Sequence, residues 1–177
     1  NSTKMDTPEK ILQCVFGYND FRPGQREIID LIMLGRNILA VMPTGSGKSI
    51  CYQIPAVLSG KLTVVISPLV ALMDDQISDL KSNGINATCI HSHMPQQDQE
   101  DSWIDISSGT CRLLYLSPER LMSPRMLAAI AKIETGMFVI DEAHCISKWG
   151  VSFRPDYDQL SRLPDLFPEA TISAFTV

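Results

Sequence analysis

Paired cysteines are missing from this chain. Cys14, Cys51, Cys89, Cys111 and Cys145 are scattered among 177 residues with no C-x-x-C spacing, which suits buried thiols in a reducing compartment better than disulfides or zinc. Long apolar runs are missing too: none approaches the length of a membrane span, and the polar start "NSTKMDTPEK" lacks a signal-peptide core. An intracellular protein with no membrane partner is expected. Positive charge is scarce. A net charge of -5 argues against nucleic-acid binding through bulk charge, so any such contact must be local and weaken with salt. Repeats and low-complexity linkers are absent as well.

What is present is the composition of one soluble globular domain, with 45% hydrophobic and 20% charged residues. Short apolar runs alternate with longer amphipathic ones. "NILAVM", "LTVVIS", "ATCIH", "RLLYLS", "MFVID" and "ATISAF" read as buried strands. Between them "KSICYQIPAVL", "VALMDDQISDLKSNG", "PQQDQEDSWIDISSG" and "SPRMLAAIAKIETG" read as helices, several closed by a glycine. This rhythm predicts an α/β fold, a mostly parallel sheet with helices on both faces. Ligands of such sheets bind at the carboxyl ends of the strands, so the turns there are where chemistry belongs.

The first such turn is "MPTGSGKS", Met42 to Ser49. Gly45 and Gly47 let the backbone curl around Thr44 and Ser46 so that N–H groups point at a phosphate, Lys48 reaches the β and γ phosphates of ATP, and the Ser49 hydroxyl ligates Mg²⁺. Met42 stands where the strict G-x-x-x-x-G-K-[ST] pattern has glycine, and a plain glycine-rich turn is the competing reading. "MFVIDEAH" supplies the complementary acids: Asp141 at a strand's carboxyl end for the metal, and Glu142 to accept a proton from an attacking water. Alone, the pair also reads as two solvated acids at a helix start. In "FGYNDFRPGQREIID", Tyr18 and Arg22 suit sandwiching a purine and the Gln25 amide suits the N6 and N7 edge of adenine. A helix start with Pro23 and Gly24 at its turn explains the same residues structurally.

In this order, "FGYNDFRPGQ", "MPTGSGKSICYQIP", "ISPLVALMDDQ", "YLSPERL", "DEAHCISKWG" and "FRPDY" resemble the N-terminal RecA-like lobe of RecQ-family DNA helicases of superfamily two. The resemblance implies a single P-loop lobe over residues 1–177, with 1–34 as the adenine-recognition and leading segment. It implies Ser67, Pro68, Ser117 and Arg120 near the phosphates of single-stranded DNA, and His144 as a coupling residue between Asp141, Glu142 and the next motif. Partners implied are single-stranded, branched or partly duplex DNA and a second RecA-like lobe. The location implied is the nucleus of a eukaryote or the cytoplasm and nucleoid of a bacterium.

"ISKWGVSFRPDY" resembles the aromatic-rich loop that senses single-stranded DNA beside the ATP site in these helicases. Trp149 and Phe153 offer stacking faces worth about 1–3 kcal/mol per base, and Arg154 suits a phosphate or the rings, so binding there is expected to be largely indifferent to sequence. Packing of the aromatics against the core is the alternative. Many family members carry His-Asp where this chain has Val151 and Ser152. The last residues, "ISAFTV", resemble the opening of the motif that leads into the second lobe, which is expected to be absent. An RNA helicase lobe, or a module that switches on nucleotide without turnover, are the competing functions.

Overall fold

The computed structural model describes residues 7–43, 47–143 and 160–177. Among them, six parallel strands form one sheet: β1 (Ile38–Val41), β2 (Leu62–Ile66), β3 (Ala87–Ile90), β4 (Leu113–Leu116), β5 (Thr135–Ile140) and β6 (Thr171–Thr176), in the spatial order β1-β6-β5-β2-β4-β3. All six expected strands are therefore present. Helices α1 (Pro8–Cys14), α2 (Gln25–Met33), α3 (Lys48–Ser59), α4 (Val70–Ser82), α5 (Gln96–Ser107), α6 (Pro118–Leu121), α7 (Pro124–Ala131) and α8 (Leu163–Leu166) connect them.

The two-residue period of each strand divides the core into two layers. Val65, Tyr115 and Val139 point to the layer that holds Tyr52 of α3 and Met73, Ile77 and Leu80 of α4. Their neighbours Val64, Leu114 and Phe138 point the other way, towards Ile106 of α5 and Met126 and Ile130 of α7. Strands buried on both faces have no solvent-facing polar side, which is why β2, β3 and β4 read as apolar runs interrupted only by the buried Thr63 and Thr88. A third cluster of Ile11, Leu12, Ile29 and Ile54 fastens α1 and α2 to α3, so the leading segment is bound to the helix that follows the glycine-rich turn.

One helix boundary differs from expectation. Gly136 does not close the helix that starts at "SPRM"; α7 ends at Ala131, and Gly136 lies inside β5. There Leu62 pairs with Thr135 and Thr63 with Met137, leaving Gly136 as the extra residue of a bulge. A Cβ on it would come within 3.1 Å of the Lys61 side chain. The glycine answers a close approach within the sheet rather than a helix end.

Candidate functional site

The carboxyl ends of β2, β4 and β5 lie side by side: the Asp141 N–H donates to Ile66 O at 2.9 Å, and the Ser67 N–H to Leu116 O at 3.1 Å. Met42 follows β1, its N–H bonded to Thr176 O. Its side chain is buried and its Sδ lies 3.9 Å from Cys51 Sγ. The methionine that stands where the motif has glycine therefore turns into the core.

Helix α3 opens at Lys48 behind Gly47, which adopts φ 77°. A Cβ there would lie 2.4 Å from Gln25 Nε2. That contact exists because Gln25, only 2% exposed at the start of α2, donates from Nε2 to Gly47 O at 3.0 Å and accepts the Arg22 N–H on Oε1 at 2.8 Å. Tyr18, Arg22, Gln25 and Gly47 share the wall of a cavity of about 260 Å³. The three residues expected to meet adenine are thus gathered beside the glycine turn, and the Gln25 amide also ties their segment to that turn. Ser49, half-buried one residue into α3, lines an adjoining cavity of about 330 Å³ with Tyr18 and Gln76.

Ninety-four positions beyond Lys48, its ammonium finds Glu142: Lys48 Nζ donates to Glu142 Oε1 and lies 3.0 Å from Asp141 Oδ1. Burial by itself lowers the Lys48 pKa, but the Glu142 hydrogen bond and the Asp141 charge outweigh it, and the pKa is raised above its ordinary value. Burial pushes the Asp141 carboxyl up, against the pull of Lys48. Glu142 is the only non-glycine residue with positive φ among those described, at 55°, and its N–H donates to Asp141 Oδ1 at 2.9 Å. Left-handed backbone at a glutamate costs conformational free energy, and here it falls two residues beyond the end of β5. No feature of the sequence announced it.

Beneath the acids lies a buried polar trio that sequence reading also missed. Gln53 Nε2 donates to Tyr115 Oη at 3.0 Å, and the Tyr52 and Tyr115 hydroxyls are 3.3 Å apart. Burial raises both tyrosines, and the Asp141 charge adds to it. Tyr52 and Gln53 belong to the apolar face of "KSICYQIPAVL", where nothing in the pattern distinguishes a polar partner from an ordinary core residue.

Pro68 and Ser117 line a separate cavity of about 630 Å³. Ser67 is buried behind them and its Oγ accepts the Leu69 N–H at 3.1 Å; the Ser117 Oγ is buried without a hydrogen-bond partner. Arg120 is half-buried on α6. Thr44, Gly45, Ser46, His144, Trp149, Phe153 and Arg154 lie outside the described residues.

Residues 22–176 match the DEAD/DEAH box helicase family. The chain belongs to that family. Its curated relatives include the ATP-dependent DNA helicase RecQ of Pasteurella multocida, 47% identical over 94% of this chain and 26% of that protein. RecQ of Bacillus subtilis is 43% identical over 95% and 29%. The ATP-dependent DNA helicase Q-like 4B of Arabidopsis thaliana is 43% identical over 92% and 15%. The chain thus spans less than a third of these relatives. Among solved structures, a hypothetical ATP-dependent RNA helicase from Sulfolobus tokodaii superposes with a TM-score of 0.73 at 22% identity, over 96% of this chain and 50% of that one. The helicase MrfA, bound to DNA and AMPPNP, superposes with 0.77 at 19% identity over 100% and 27%. At such identities these two establish the RecA-like helicase fold alone.

Proposed function

We propose that this DEAD/DEAH-family chain is the ATP-binding lobe of a RecQ-type DNA helicase, working with a second RecA-like lobe to couple ATP hydrolysis to movement along single-stranded DNA. The observation that carries this reading is Lys48, from the glycine-rich turn, held between Asp141 and Glu142 from the end of β5. An ammonium already drawn to two carboxylates is placed to exchange them for phosphate oxygens. The Ser49 hydroxyl and the buried Asp141 carboxylate are oxygen donors of the kind Mg²⁺ takes, and the ion would neutralise phosphate charge there.

Within this reading Glu142 receives the proton of the attacking water, and Tyr18, Arg22 and Gln25 recognise adenine. Thr44, Gly45, Ser46 and Gly47 offer backbone N–H groups to the phosphates, and His144 relays between the acids and the aromatic loop. Ser67, Pro68, Ser117 and Arg120 follow the strand's backbone, while Trp149, Phe153 and Arg154 stack on bases or meet phosphate. Binding through backbone and ring faces makes the track tolerant of sequence, with branched or partly duplex DNA as the substrate. DNA rather than RNA is favoured by the RecQ relatives. An intracellular location, where DNA is, completes the proposal.

The test is ATP hydrolysis by the complete parent protein with and without single-stranded DNA. Wild type should be stimulated. Alanine at Trp149, Phe153 or Arg154 should keep basal hydrolysis and lose the stimulation. Equal hydrolysis with and without DNA in the wild type would reject a DNA motor in favour of a nucleotide-dependent module of another kind.

A further inference from the structure

Beyond β3 the chain reads Cys89-Ile90-His91-Ser92-His93. Cys89 packs in the layer that contains α4. Its Sγ lies 3.5 Å from Asp74 Oδ1 of α4, and His91 Nε2 lies 3.5 Å from the same oxygen. The three donor atoms are all within 4.8 Å of one another. His91 is 3% exposed, and its Nε2 is buried without a hydrogen-bond partner. At 3.5 Å the carboxylate is too far for a good bond, and a buried nitrogen left in this condition costs free energy unless something else meets it. Asp74 is exposed, and with His91 and His93 it lines the cavity of about 630 Å³, which gives the cluster access to solvent. The exposed His93 ring stands 6.2 Å from that of His91, centroid to centroid.

We propose that Asp74, Cys89, His91 and His93 form a binding site for a divalent transition metal, zinc in the first place. The site goes beyond the nucleotide chemistry above, whose Mg²⁺ donors Ser49 and Asp141 belong to α3 and the end of β5 and not to the β3 edge of the sheet. One thiol, two imidazoles and one carboxylate make a four-ligand set suited to a borderline-soft ion in tetrahedral geometry, whereas Mg²⁺ and Ca²⁺ take oxygen alone. His91 Nδ1 now accepts the His93 N–H at 3.2 Å. Ligation through Nε2 leaves the ring proton on Nδ1, ends that acceptance, and frees His93 to turn its ring inwards as the fourth ligand. The bound ion ties α4 to the turn between β3 and α5, at the rim of the cavity that Pro68 and Ser117 line. The spacing of cysteines could not reveal such a site, because it uses only one of them.

The probe is Co²⁺, then Zn²⁺, titrated into the reduced, chelator-treated 177-residue chain. A single equivalent of Co²⁺ should give thiolate-to-cobalt charge-transfer absorption with the intense visible bands of a tetrahedral ion, and Zn²⁺ should displace it and raise the melting temperature. Cys89→Ser should abolish the charge-transfer band. His93→Ala, at an exposed position that packing does not need, should weaken affinity by more than the ~10–100-fold that an outer-shell partner is worth. The proposal is overturned by the absence of stoichiometric binding, by a cobalt spectrum without the thiolate band, or by binding that both variants leave unchanged. Should Cys89→Ser fail to fold, the wild-type spectrum and His93→Ala still decide.

Discussion

Lys48, Asp141 and Glu142 form a small charge balance in which one ammonium meets two acids. Lys48→Ala should therefore remove most adenine-nucleotide affinity measured by calorimetry with Mg·ATP, while the sheet and both core layers keep their far-ultraviolet circular dichroism. Unchanged affinity in the folded variant would remove the phosphate role from this lysine. Gln25 works differently, since its amide bonds both Gly47 O and the Arg22 N–H from a buried position. Gln25→Ala leaves those backbone groups without it, and should lower unfolding free energy by about 1–3 kcal/mol and weaken nucleotide binding together. An urea titration and a binding isotherm on the same variant check both. If only binding falls, the tether contributes nothing to the fold.

The junction of β1, the glycine turn and α3 is where an element's geometry rather than a side chain governs. Gly47 stands at the start of α3 with φ 77°, and a Cβ there would lie 2.4 Å from Gln25 Nε2. Gly47→Ala should cost roughly 1–2 kcal/mol for the left-handed backbone alone, a fall in melting temperature of about 2–4 °C per kcal/mol. It should also displace the Gln25 amide, so nucleotide affinity should fall further than the stability loss accounts for. A variant with wild-type affinity would show that the close approach is not needed for binding. The contrasting glycine is Gly136, whose role is confined to the bulge between β2 and β5; no effect on nucleotide binding is expected from it beyond stability.

Across the whole molecule, ionisable groups buried on both faces of the sheet set how stability responds to alkali. Burial holds the Cys111 thiol and the Tyr115 hydroxyl up at about 12, from ordinary values of 9.0 and 10.0, and Tyr52 is raised well above 10.0. The unfolded chain releases these protons first, so it binds fewer than the folded chain between about pH 9 and pH 12. Stability is then complete below pH 9 and declines as pH rises through that window. Denaturant midpoints at pH 8, 10 and 11 should fall in that order, with a shallower decline above pH 10 for Tyr115→Phe. A midpoint that stays level to pH 11 would contradict the burial of these groups.

The six strands and their mostly parallel sense were legible in the sequence because β2, β3 and β4 are buried and largely apolar on both faces and the intervening helices carry an amphipathic period. Lys48, Asp141 and Glu142 were legible as motif members, since a strand must deliver an acid to the same end of the sheet as the glycine turn. Only the tertiary structure decided that these three side chains touch across 94 positions, that Met42 turns inwards, that Gly136 belongs to a strand and that Glu142 is left-handed. It alone decided that Gln25 reaches Gly47 and that Asp74, Cys89 and His91 converge. Periodicity describes which face a residue occupies, but not which residue of another element arrives opposite it; that depends on how the strands are ordered and the helices laid over them, and strand order is not written in any local stretch of chain.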